Sequence, residues 1–144
     1  PTIMAKSLRI NLSSSAAPPM RRILLADDDK LIRKLFAMIV GTEFPDVLID
    51  QAVDGEEAIQ FFKKQPYDLL VMDLQMPRVA GREAALEIQR HCAQNRVPEP
   101  IFIFCTGFAP PESLAQIVGD GSRHTILRKP VRVEDLVSAI RSRF

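Results

Sequence analysis

The chain has 144 residues, enough for one domain with a buried core, and its composition, 47% hydrophobic and 26% charged, is ordinary for a globular protein. The formal net charge is +1, and residues 21–144 alone carry 17 basic and 18 acidic side chains, so no global basic field points to nucleic acid or to a membrane surface. Cys92 and Cys105 lack metal-ligand spacing, and no apolar run is long enough to span a bilayer or reads as a secretory signal; a reduced, cytoplasmic setting is expected.

Residues 1–20 stand apart as an N-terminal extension. "SSSAAPPM" reads as a flexible linker, and "KSLRINL" before it alternates weakly, with Leu8, Ile10 and Leu12 on one side. A flexible or expression-derived tail is the first reading and an added edge strand the second, with Met20 a candidate native start. The domain proper is taken as residues 21–144.

From Arg21 onward two signals alternate. Apolar runs at Ile23–Ala26, Val47–Val53, Leu69–Met72, Ile101–Cys105 and Thr125–Leu127 predict five strands. Between them, Leu31, Leu35, Met38 and Ile39 predict a first helix with those residues on its core face, closed by Gly41. Asp54 is placed to cap a second helix carrying Ala58, Ile59 and Phe62, stopped before Pro66. Phe61, beside Phe62, is expected partly exposed. Ala84, Ala85, Ile88 and Cys92 mark a third helix. Leu114, Ile117 and Val118 mark a short fourth, ended by Gly119. Leu136, Val137 and Ile140 mark a fifth that reaches the C-terminus. Strict alternation argues for an α/β fold, a parallel sheet with helices on both faces. The more polar second strand belongs at an edge.

The strand ends carry the chemistry. The first strand runs into Asp27 and Asp28, the third into Asp73, the fourth into Thr106 and the fifth into Lys129. In an open parallel sheet these ends share one rim, where ligands bind. Three carboxylates there would raise one another's pKa or hold a cation, and oxygen donors without sulfur or imidazole suit a hard ion such as Mg²⁺, with Mn²⁺ an alternative. One carboxylate could then attack phosphorus to form an aspartyl phosphate, with Lys129 and Thr106 on the phosphoryl oxygens. Asp29, next in line, is expected to cap the first helix instead. His91 and His124 are expected at the solvated surface, and Cys105 reads as a small hydrophobe.

These motifs, "DD" at 27–28, "MDLQMP" at 72–77, "CTG" at 105–107 and "KP" at 129–130, resemble those of response-regulator receiver domains, over all of the chain except the extension. The resemblance implies a flavodoxin-like doubly wound sheet of order 2-1-3-4-5. It implies Asp73 as phosphoacceptor, Asp28 as a direct Mg²⁺ ligand, Asp27 holding the ion through water, and the Gln75 backbone carbonyl completing the protein's share. Thr106 and Lys129 would contact the phosphoryl group, and the Lys129–Pro130 bond would be cis. The implied partners are a sensor histidine kinase or histidine phosphotransfer protein and a downstream protein or fused output domain, without direct nucleic-acid or membrane binding; a phosphorylation-linked homodimer is compatible. The domain would catalyse its own phosphorylation and slow autodephosphorylation without being a conventional enzyme. The Gln75 side chain is expected near the rim, where it would influence water access to the phosphorylated Asp73.

Two positions depart from the family pattern. Ile126 stands where receivers usually carry Tyr or Phe, so a readout by a rotating ring has no ring to use. Gly107 and the prolines Pro110 and Pro111 make the loop after the fourth strand non-standard. Three alternatives stay open. A Mg²⁺-dependent aspartyl phosphatase usually carries an acid where Gln75 stands. An interaction domain with a vestigial pocket would not need the full set of rim residues. A flavin module of the same fold would need a phosphate-binding glycine-rich loop after the first strand.

Overall fold

The computed structural model describes residues 21–108 and 112–144; the expectations for residues 1–20 and for Pro110 and Pro111 lie outside them. Five strands form, β1 (Arg22–Ala26), β2 (Leu48–Ala52), β3 (Leu69–Asp73), β4 (Ile101–Thr106) and β5 (Thr125–Arg128). The helices between and after them are α1 (Lys30–Glu43), α2 (Gly55–Lys64), α3 (Gly81–Asn95), α4 (Ala115–Val118), preceded by a 3₁₀ turn at Glu112–Leu114, and α5 (Val133–Arg141). The strands pair in parallel in the order 2-1-3-4-5, with the polar β2 at an edge.

Strand alternation splits the core in two. Leu24, Ala26, Leu70, Met72, Phe102 and Phe104 point to one face, packed with Ala58 and Phe62 of α2, Ala84, Ala85 and Ile88 of α3, and Leu114 and Ile117. Ile23, Leu25, Leu69, Val71, Ile103 and Cys105 point to the other, packed with Phe36 and Val40 of α1 and Leu136, Ala139 and Ile140 of α5. Both faces are covered, which is why β1, β3 and β4 are near-continuous apolar runs. Phe61 is half-buried, as expected.

The first helix corrects the sequence reading. Leu31 is 77% exposed, Met38 63% and Leu35 42%, while Phe36 and Val40 are buried and Ile32 and Ile39 partly so. The helix is apolar on several sides, so periodicity identified a helix without identifying its inward side. It also continues past Gly41 to Glu43, because glycine lowers helix propensity without stopping a helix.

The histidines are corrected as well. His124 is buried, and its Nδ1 accepts a hydrogen bond from the Phe102 backbone N–H at 3.0 Å. It supplies an acceptor just ahead of the first β4–β5 residue pair, Ile103 with Thr125. Burial, with the positive charge of Arg123, holds its imidazole below the ordinary 6.5 against the opposing pull of Glu99. His91 is half-buried, edge-on to Phe62 at 6.1 Å between ring centroids.

Candidate functional site

The rim at the carboxyl ends of the strands is built by backbone continuity. The Asp27 N–H donates to the Ala52 carbonyl at 3.1 Å, extending the β1–β2 pairing by one residue. Leu74 N–H donates to the Cys105 carbonyl at 2.9 Å, and Lys129 N–H to the Thr106 carbonyl at 2.8 Å. Asp27, Asp73, Thr106 and Lys129 therefore leave strand ends whose backbone is held by a neighbouring strand. The Lys129–Pro130 peptide is cis, as the resemblance implied.

Asp27, Asp28 and Asp73 come together, with one carboxylate oxygen from each lying within 4.8 Å of the others. Asp27 and Asp73 are buried and Asp28 is exposed. Asp27 Oδ1 accepts from the Asp29 N–H at 2.8 Å, Asp73 Oδ1 accepts from the Gln75 N–H at 3.1 Å, and Asp73 Oδ2 lies 3.0 Å from Lys129 Nζ. Burial pushes the Asp27 carboxyl up, and the neighbouring Asp73 and Asp28 push the same way, against the Asp29 N–H and Lys129. Burial works to lower the Lys129 ammonium, but its hydrogen bond to Asp73 and the charges of Asp73 and Asp27 outweigh it, so the ammonium is held above its usual range.

Asp29 separates from this group as expected. Its carboxylate accepts from the Leu31 and Ile32 N–H groups at 2.9 and 3.3 Å and caps α1. Thr106 is buried, and its hydroxyl accepts from the Phe108 N–H at 3.1 Å. The single hydroxyl proton has two acceptors in reach, the Phe108 carbonyl at 3.2 Å and Gln75 Oε1 at 3.4 Å. The Gln75 side chain thus reaches the rim, as expected. Burial pushes the Cys105 thiol up to about 12, which makes it an inert hydrophobe.

Two contacts at the rim escaped sequence reasoning. Arg33 of α1 donates to the Asp27 carbonyl at 2.8 Å. Arg78, in the loop after β3, pairs with the buried Asp54 at the start of α2. The helix-capping signal of Asp54 was legible; its ionic partner, 24 residues away, carries no local signature.

The chemistry of the donor set fits a hard divalent cation. Three carboxylates converge, the ligand group among the described residues contains no sulfur or imidazole, and Lys129 contacts only one of the three acids.

A family model described as the response regulator receiver domain matches residues 23–141. The chain belongs to this family. The receiver is 36% identical over 127 residues to the transcriptional regulatory protein PdtaR of Mycobacterium tuberculosis, a match covering 88% of the chain and 58% of that protein. It is 32% identical over 120 residues to the chemotaxis protein CheY of Halobacterium salinarum, covering 83% of the chain and 93% of that protein. The chain thus spans little more than half the length of the first of these relatives. Among solved structures, the receiver domain of yeast Ssk1, crystallised with the histidine phosphotransfer protein Ypd1, superposes with a TM-score of 0.69 at 23% identity, covering 84% of this chain and 86% of that one. The Vibrio cholerae chemotaxis protein CheY4 gives 0.69 at 21% identity, covering 88% and 100%. These two likenesses concern the fold. Among the described residues no helix is long and apolar enough to cross a membrane.

Proposed function

We propose that Asp73 is the phosphoacceptor of a two-component phosphorelay and that Asp27, Asp28, Asp73 and the Gln75 backbone carbonyl hold Mg²⁺ beside it. The observation that carries this reading is the contact between buried Asp73 and Lys129 at 3.0 Å inside a cluster of three carboxylates. Mg²⁺, when bound, offsets the charge of the carboxylates and of the incoming phosphoryl group.

The donor is a phosphohistidine, on a sensor kinase or on a phosphotransfer protein of the kind crystallised with the Ssk1 receiver. An Asp73 oxygen forms the O–P bond as the P–N bond breaks, and the imidazole leaves with the electron pair. Lys129 Nζ, already beside Oδ2, neutralises a phosphoryl oxygen. The donor docks over the start of α1, where Asp28, Leu31 and Leu35 are all exposed. The domain acts in the cytoplasm, where such donors present their phosphohistidine.

Thr106 links the site to a surface. Its one proton is divided between two long contacts, and a phosphoryl oxygen is the stronger acceptor. Redirecting that proton takes the donor from the Phe108 carbonyl, and the exposed Phe108 ring responds. Ile126, half-buried in register with Phe104, has no ring to contribute. Signal output therefore runs through the loop after β4 to a downstream protein or output domain. The domain supplies the machinery for its own phosphorylation and slow hydrolysis.

The test is labelling by a small-molecule phosphodonor with and without Mg²⁺. Wild type is labelled only with Mg²⁺, and Asp73→Asn is not labelled. Equal labelling of the two proteins overturns the reading.

A further inference from the structure

The loop between Asp73 and α3 is held more tightly than its exposure suggests. On one side, a Cβ added at Gly81 would lie 2.4 Å from the Asp73 carbonyl oxygen, so α3 starts directly against the end of β3. On the other, a Cβ at Gly55 would lie 2.0 Å from the Val79 carbonyl oxygen, so α2 starts directly against the loop. Arg78 sits between these two contacts with φ at 65°, a left-handed backbone that a long side chain rarely adopts. Its guanidinium, largely exposed, pairs with Asp54, which is 1% exposed.

Asp54 has two duties. Oδ1 accepts from the Glu57 N–H at 2.8 Å and caps α2, with Glu57 Oε1 accepting from the Val53 N–H at 2.9 Å in return. Oδ2 takes Arg78. Asp54 follows Ala52 by two residues, and the Ala52 carbonyl holds the Asp27 N–H. Gln75, whose N–H holds Asp73 Oδ1, precedes Arg78 by three. The ion pair therefore completes a chain of contacts that runs from Asp27 through Ala52 and Asp54 to Arg78, Gln75 and Asp73. The sheet fixes the Asp27 and Asp73 backbones without it, since Ala26 pairs with Met72. The Gln75 carbonyl has no such support from a strand.

We propose that Arg78 and Asp54 form a positioning pair for the cation site, setting the affinity of the Asp27–Asp28–Asp73 cluster for Mg²⁺ by fixing the loop that carries the Gln75 carbonyl. The inference rests on the Mg²⁺ reading above. The pair does not touch the ion; it decides where one of the ligands stands. Outer partners of this kind typically change metal affinity by 10- to 100-fold.

The experiment is calorimetric titration of Mg²⁺ into the unphosphorylated protein, with a thermal melt of each variant. Arg78→Gly is the informative change, because glycine accepts the left-handed backbone while removing the guanidinium. It is expected to weaken Mg²⁺ binding roughly 10-fold and to lower the melting temperature, because the buried Asp54 carboxylate keeps its charge and loses its partner; the Asp54→Asn variant, which removes that charge, separates the two effects. Asp54→Asn keeps a capping side chain, removes the charge and weakens binding to a similar extent. The double variant binds no more weakly than either single one, and Arg78→Lys recovers part of the loss. Wild-type affinity in Arg78→Gly, or equal and additive losses in the double variant, overturns the inference while leaving the Mg²⁺ reading intact. Failure of the wild type to bind Mg²⁺ removes both.

Discussion

The two rims of the sheet make opposite use of charge. At the amino ends of the strands, polar groups find partners within the fold. Asp68 accepts from the Arg22 N–H at 2.7 Å. The Arg143 guanidinium bonds the carbonyls of Gly121, Ala139 and Arg123. Glu99 faces His124 and accepts from Gln89. At the carboxyl ends, buried Asp27 and Asp73 and exposed Asp28 gather beside Lys129, while the nearby Arg33 guanidinium spends its hydrogen bond on the Asp27 carbonyl rather than on a carboxylate. A groove of about 290 Å³ opens at the first rim, lined by Arg21, Arg123 and Arg143, yet the concentration of uncompensated charge lies at the second. The proposed chemistry thus sits where charge is unbalanced and not at the wider groove.

Removing charge at each rim tests this contrast. The largest effect is expected from Lys129→Met, which takes away the ammonium 3.0 Å from Asp73. Phosphodonor labelling at saturating Mg²⁺ should slow on the order of 10²-fold, read as the rate of phosphoprotein formation. A rate within a factor of two of wild type would remove Lys129 from the proposed chemistry.

Asp27→Asn is expected to act in the opposite sense on stability. The amide keeps an acceptor for the Asp29 N–H while removing a buried charge whose carboxyl burial pushes up. A carboxyl raised in the folded state holds its proton more tightly there than in the unfolded chain. Its contribution therefore falls as pH rises from the ordinary 3.8 through the raised folded value, and it is unfavourable at neutral pH. Without Mg²⁺, the melting temperature of Asp27→Asn at pH 7 should rise by a few degrees, the response of a domain of this size to about 1 kcal/mol. An unchanged or lower value would show that the acids are already balanced in the cation-free fold.

The smallest effect is expected at the other rim. The His124 imidazole is held below 6.5, so the unfolded chain binds the proton first, and stability is lost as pH falls from 6.5 through the lower folded value. Protonation of Nδ1 also removes the acceptor for the Phe102 N–H. His124→Gln should flatten that acid limb in pH-dependent melts and leave phosphodonor labelling at pH 7 unaltered. A change in labelling would link the two rims.

Much of this arrangement was legible in residue order. Apolar runs separated by helical periodicity specified a parallel sheet, because strands covered on both faces must be apolar throughout. Parallel strands align their carboxyl ends, so residue order alone places Asp27, Asp28, Asp73, Thr106 and Lys129 on one rim. The separate duty of Asp29 was legible for the same kind of reason, since a capping residue acts on its own helix within three positions. Asp54 showed only half of its role, the local half.

Residue order alone specified the alternation of elements and the convergence of strand-end residues, which depend on short-range periodicity and on one topological rule. Tertiary structure alone decided which side of α1 turns inward, because Leu31, Phe36, Met38 and Val40 spread apolar surface around the helix and only the neighbouring sheet and α5 select Phe36 and Val40. It likewise decided that His124 is buried against β4 and that Arg78 reaches Asp54. Such contacts join residues more than twenty positions apart through packing between elements, and local periodicity holds no record of which distant side chain will be the neighbour.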